Sequence, residues 1–289
     1  MTLVCSLKGE LLLSTRGSFS VQIDVKGASV DLLSGYYGGT FLNPIVALTR
    51  LVASLHDPLT NKITIPNFYD GVEDLTESAV AELEVVDDEA EAKTLGLTKL
   101  VGEAGYTTME RRTVRPTAEL VGIWGGFSGE GTKSVLPSEA HAKIQFRLVA
   151  GQDPLAIYYN LKKHIEDASI TLAGGLHVSL QKHNDGGKAY SVVRDTKGFQ
   201  LVTEELLKAY GVEPVFKREG GSINAVTKFH EVIGLETYSF QFSDIDSSCH
   251  APDERFRLSS LHRGQKAYLS MILNASTMFG TTNDYKSEL

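Results

Sequence analysis

The chain has 289 residues, 42% hydrophobic and 22% charged, with a net charge of −8 at pH 7. That is a soluble globular composition, long enough for one large or two ordinary domains, and its acidity argues against nucleic acid or an anionic membrane surface as partner. No apolar run is long enough to span a bilayer, the N-terminus lacks the features of a signal peptide, and the two cysteines, Cys5 and Cys249, form no metal-binding pair, so a reduced cytoplasmic chain is expected.

Alternating polar and apolar residues predict a half-buried strand over 19–26. The glycine-rich stretch GASVDLLSGYYGGT, residues 27–40, reads as a loop built for contact. Asn43–Pro44 then marks a helix start, with Ile45, Leu48, Val52 and Leu55 at helical spacing and a stop near Asp57–Pro58. Residues 59–115 are less regular and contain LTESAVAELEVVDDEAEAKTL, an acidic stretch expected to be helical and solvated. A strand is predicted at 139–149, a helix at about 153–166 and a strand at about 176–183, an order that gives a sheet with helices on one face. HNDGGKAYS, 183–191, reads as a linker. Beyond it come a helix at 196–210 closed by Gly211, a short strand into REGGSI, a helix at about 224–232, an apolar strand at about 235–242 and a last helix at about 259–278.

Three places could carry chemistry. In DIDSSCHAPDERF, 244–256, His250 follows an apolar strand among Asp244, Asp246, Asp253 and Glu254. Spacing alone favours a surface loop whose acids cap the next helix, with the metal-ligand pattern of an imidazole oriented by carboxylates as the other reading. The turn REGGSI reads first as a tight turn, and it offers the N–H groups of Gly220 and Gly221 and the Ser222 hydroxyl to an anion. Arg147 shares a strand face with Gln145 and could clamp a carboxylate or face solvent. GEGTKSVLP lacks the spacing of a phosphate loop and runs into a strand.

The ordered motifs RGSFSVQIDVKGASVDLLSGYYGG, IPNFYDGV, RPT at 115–117, GIWGGFSGEGTKSVLP, KIQFRLVAGQDP, REGGSI and HAPDERF run through nearly the whole chain. Together they resemble the M20 family of metallopeptidases, in its carnosinase-like dipeptidase branch. The resemblance implies a mixed fold, α/β and α+β. Residues 16–185 would be an inserted ferredoxin-like lid that makes a homodimer, with the acidic insertion at about 59–115. Residues 186–289 would be the C-terminal part of a split α/β catalytic domain of zinc-exopeptidase type, and 1–15 a remnant or linker from it.

The resemblance also implies metal-dependent hydrolysis of dipeptides or short peptides at two zinc ions. His250 is the one family ligand with a match. The family's early His-x-Asp, further Asp and Glu-Glu pair lie upstream of the lid, so the chain is expected to be truncated and inactive alone, since a catalytic zinc needs about three protein ligands. A separate N-terminal half is then a candidate partner. Arg147 would hold the substrate's C-terminal carboxylate, helped by Gly220, Gly221 and Ser222, with Ser134 also facing substrate. Leu33 stands where the family carries a histidine that steadies the oxyanion in the partner's site, and losing such a donor costs about 2.7–4 kcal/mol. Asn224 replaces a usual proline, and Asp253 a usual asparagine. One reading is a peptidase lacking its N-terminal half; another is a non-catalytic dimerisation or peptide-binding protein; a third, an amidohydrolase of N-acyl amino acids, fits these motifs less well.

Overall fold

The computed structural model describes residues 9–184, 186–241, 247–248 and 252–279, with side chains to residue 275. The chain opens with β1 (Glu10–Thr15), β2 (Gly17–Lys26), β3 (Leu32–Leu33), α1 (Ser34–Tyr37) and α2 (Pro44–Ala53). Next come α3 (Glu77–Ala81), α4 (Asp88–Thr94), α5 (Thr108–Thr113), β4 (Thr117–Gly125), β5 (Val135–Leu136), β6 (Glu139–Leu148), α6 (Pro154–Leu172) and β7 (His177–Lys182). It continues with β8 (Tyr190–Ser191), α7 (Lys197–Tyr210), β9 (Val215–Glu219), α8 (Asn224–Ile233), β10 (Phe240–Gln241) and α9 (Leu258–Phe279). This mixed α/β chain divides into two compact units. The larger holds Arg16–Tyr190 and the short segment Gly220–Asn224; the other holds β1, Ser191–Glu219 and the chain from Ala225.

The larger unit is built on an antiparallel sheet of order β4-β6-β2-β7, threaded as β2-α2-β4-β6-α6-β7, the split βαβ arrangement of ferredoxin-like domains. β2 and β6 pair without a break from Gly17↔Leu148 to Lys26↔Glu139. Alternation puts Phe19, Val21, Ile23 and Val25 with Ala142, Ile144 and Phe146 on one buried face, where Phe19 stacks on Phe146 at 4.6 Å. Two helices cover that face. Asn43 caps α2 by accepting from the Ile45 N–H, with Pro44 at the first helical position, and the helix buries Ala47, Leu48 and Leu51. Asp153 caps α6, accepting from Leu155 and Ala156, and Ile157, Leu161 and Ile165 face the sheet. The opposite face is polar. There Asp24 is buried and accepts from Gln22 and Gln181, with His141 Nδ1 at 2.5 Å, so its desolvation is offset by hydrogen bonds.

The segment between α2 and β4 is locked at two points. Gly71 and Gly151 cross so closely that a Cβ on Gly151 would lie 1.9 Å from the Gly71 carbonyl oxygen; both have positive φ. Arg115 is buried, donates twice to the Glu103 carboxylate at 2.8 Å and once to Asp74 at 3.0 Å, and lies over the Tyr106 ring. Such a pair holds its geometry because leaving either charge alone in the interior is costly.

Several sequence expectations need correction. The acidic stretch is not one helix: Thr76 and Asp87 each cap a separate short one, α3 and α4, and β-branched Val85 and Val86 fall in the break. α2 ends at Ala53, ahead of Asp57, whose carboxylate instead accepts from the Leu59 and Thr60 N–H groups. The helix predicted at 153–166 runs on to Leu172. Within the stretch read as a linker at 183–191, two residues stay tied to β2: the His183 N–H donates to the Ser20 carbonyl, and Ser18 and Gly187 exchange backbone bonds. In 235–242 only Phe240–Gln241 is strand, while Tyr238 turns its hydroxyl to Thr196 and Glu236; residue 242 lies outside the described residues. Residues 10–15, read as part of a remnant or linker from the catalytic domain with no element assigned, form β1, buried along almost its whole length.

In the smaller unit β1 pairs in parallel with β9 and antiparallel with β10, and α7 packs Phe199, Val202 and Leu206 against Ala267 and Met271 of α9. Gly211 ends α7 at φ 74°. The buried Glu205 carboxylate clamps the two helices, accepting from Lys208 at 2.6 Å, Asn274 at 3.0 Å and Ser270. Burial alone would raise its pKa, but these donors hold it below the ordinary glutamate value. A depressed folded-state pKa gives stability above the unfolded value that is lost as pH falls through the folded one. Urea midpoints of the wild type and Glu205→Gln should therefore differ at pH 7 and converge below about pH 4; equal midpoints at pH 7 would contradict the clamp.

Candidate active site

Arg147 lies on β6 between buried Phe146 and Leu148, so its side chain emerges on the polar face of the sheet, as does that of Gln145. Its register partners are Ser18 on β2 and Thr117 on β4. Arg147 Nη1 donates to Ser222 Oγ at 2.9 Å, a contact across 75 residues of sequence. Ser222 arrives there on the turn between β9 and α8. Gly220 fits this turn for want of a side chain: a Cβ would sit 2.4 Å from the Arg112 carbonyl oxygen.

Beside this pair opens a cavity of about 510 Å³, lined by Arg16, His56, Thr117, Glu119 and Gln145 as well as Arg147. Desolvation lowers the His56 pKa, against a smaller opposing effect of Glu119, which favours neutral imidazole. Positive charge in the cavity is thus left to guanidinium groups. A planar guanidinium with a neighbouring hydroxyl can receive a carboxylate through two parallel hydrogen bonds.

The structure brings Arg147, Gly220, Gly221 and Ser222 together within the larger unit. Leu33 and Ser134 form a second group. β3 and β5 make a two-stranded ribbon with Leu33 opposite Val135, and the Ser34 N–H donates to the Ser134 carbonyl at 3.0 Å. Asp31 ties the ribbon down by accepting from the N–H and hydroxyl of Ser138. Leu33 is 58% exposed and Ser134 is exposed. The two groups do not meet: the ribbon joins β6 at Glu139, and Arg147 lies eight residues of extended strand away, about 27 Å at the usual rise.

His250, its neighbour Cys249, and Asp244 and Asp246 lie outside the described residues. Among the described residues no three His, Cys, Asp or Glu side chains are grouped to hold a metal ion. These residues alone do not fit a two-zinc centre. Among the described residues no helix is long and apolar enough to cross a membrane. Sequence reading missed Arg16, although the arginine–glycine pair opening β2, at the strand end that carries Arg147, was a usable signal.

Residues 13–173 match the peptidase dimerisation domain of the M20 family. The Cys-Gly metallodipeptidase DUG1 of Saccharomyces cerevisiae is 29% identical over 269 residues, 91% of this chain and 55% of that protein. Human Beta-Ala-His dipeptidase is 23% identical over 283 residues, 94% of this chain and 54% of that protein. The crystal structure of an M20 family metallo-carboxypeptidase from Sulfolobus solfataricus superposes with a TM-score of 0.78 at 23% identity, over 92% of this chain and 60% of that one. The chain spans about half the length of the curated relatives it matches. With more than half of its residues inside the matching domain, this chain belongs to the M20 peptidase family.

Proposed function

We propose that the chain forms the lid and the C-terminal part of the catalytic domain of a metal-dependent M20 dipeptidase that cleaves dipeptides or short peptides. The observation that carries this reading is the Arg147–Ser222 pair, with Arg147 lining a cavity that Arg16 also lines, a suitable receptor for the C-terminal carboxylate of a small peptide. His250 would contribute one ligand to a zinc centre. The remaining ligands and the general base would come from the N-terminal half of the catalytic domain, supplied by additional chain or by a separate polypeptide. The two isolated cysteines suit a reduced, cytoplasmic setting.

The same reading makes the active unit a homodimer. The Leu33–Ser134 ribbon lies too far from Arg147 of its own chain to share a site with it, whereas a second copy could bring its ribbon there. Edge strand β4 supplies a surface for that copy: Val121, Ile123 and Trp124 are 60%, 46% and 46% exposed, an apolar edge of the kind that pairs between chains. A second reading, a non-catalytic dimerisation or peptide-binding protein, is favoured by one residue. Leu33 offers no hydrogen bond where the resembling family carries histidine.

Two measurements separate these readings. The chain assembled with an N-terminal catalytic half and zinc should hydrolyse cysteinylglycine or β-alanylhistidine, and Arg147→Ala should abolish the activity; Leu33→His should raise kcat by roughly 10²–10³ if the missing donor limits the rate. No hydrolysis of either peptide, with or without Leu33→His, would leave the non-catalytic reading. In sedimentation equilibrium the wild type should run as a dimer and Ile123→Glu as a monomer, and a dimer undisturbed by Ile123→Glu would rule out the β4 edge.

A further inference from the structure

The Gly220–Ser222 turn is held in place by Arg16. The Arg16 backbone N–H donates to the Gly221 carbonyl at 3.0 Å, and its Nε donates to the Gly220 carbonyl at 2.7 Å. From the same planar group Nη1 reaches the Arg115 carbonyl at 3.1 Å. One guanidinium therefore joins the turn to the end of the segment between α2 and β4. The far anchor is firm, because the Arg115 side chain is buried and held by Glu103 and Asp74. The near side has no slack: the space a Cβ on Gly220 would need is taken by the Arg112 carbonyl at 2.4 Å and Arg16 Nη2 at 3.4 Å. At the other end of the turn, Ser222 receives the Arg147 hydrogen bond.

We propose that Arg16 is a positioning residue for the carboxylate pocket, fixing the Gly220–Ser222 turn so that Ser222 and Arg147 are presented to the peptide together. The proposal rests on the assignment of Arg147 and Ser222 to the peptide carboxylate. Only a guanidinium fits the task. Its donors lie in a rigid fork and reach two carbonyls at once, whereas the lysine ammonium is a point charge on a flexible stem. Arg16 also lines the same cavity as Arg147, so its charge adds to the potential that draws in an anion.

The test is a titration of the 289-residue chain with alanylglycine, with alanylglycinamide as the ligand lacking a carboxylate. Arg16→Ala and the milder Arg16→Lys should each weaken alanylglycine binding about tenfold, leave the weak amide binding unchanged, and keep the melting transition. Ethylguanidinium should restore binding to Arg16→Ala and not to Arg147→Ala, a rescue that general loss of stability would not show. Wild-type affinity in Arg16→Ala, with affinity lost in Arg147→Ala, would overturn the positioning role. If Arg147→Ala also binds as the wild type does, the carboxylate assignment fails instead. Amide hydrogen exchange at residues 220–224 then decides: faster exchange in Arg16→Ala, with β2 and β6 unchanged, supports the positioning, and unchanged exchange overturns it.

Discussion

The unbroken pairing of β2 with β6 sets the rest of the larger unit. Because side chains alternate across a strand, a slip of one residue would exchange the two faces of the sheet. The register from Gly17↔Leu148 to Lys26↔Glu139 seats Phe19 on Phe146 inside. It also sets Asp24 opposite His141 and leaves Arg147 on the polar face at one end. The chain enters β6 at its other end, from the ribbon that carries Ser134 and Leu33. One register thus builds the core and separates two groups of chemically useful residues.

The Arg147–Ser222 pair depends on contacts that are remote in sequence. Arg147 is placed by strand pairing, Ser222 by a turn more than seventy residues later, and the turn by an arginine 204 residues before it. Glycine is needed at position 220 because a backbone carbonyl occupies the side-chain space. The segment between α2 and β4 enters the site through backbone: it supplies the Arg115 and Arg112 carbonyls, while the Arg115 side chain is spent on an internal ion pair.

Local signals made much of the fold legible. The alternating strands, the caps at Asn43 and Asp153 and the terminating Gly211 each report a nearby backbone need, and those needs are short-range. β1 was missed because it is buried along most of its length, so Leu11, Leu12 and Leu13 show no alternation to read. β4 was hidden by an irregular register near Val121 and by apolar residues facing outward on an edge strand. Arg147 and Ser222 were visible as an isolated strand arginine and a glycine-turn serine; resemblance to the family joined them, and no periodicity could have. The partners of Arg16 are backbone carbonyls, which leave no mark in periodicity, so only its place beside Gly17, at the strand end that carries Arg147, pointed to it.

In the proposed homodimer each complete site would span two chains, with the ribbon of one copy meeting the Arg147–Ser222 end of the other. The most direct measurement mixes chains carrying Leu33→Cys with chains carrying Ser222→Cys, both with Cys5 and Cys249 changed to serine, and adds a short bismaleimide. A cross-linked species of two chains should form in the mixture and none with either chain alone. Absence of that species from the mixture, or a cross-link formed within a single chain carrying both cysteines, would contradict that arrangement.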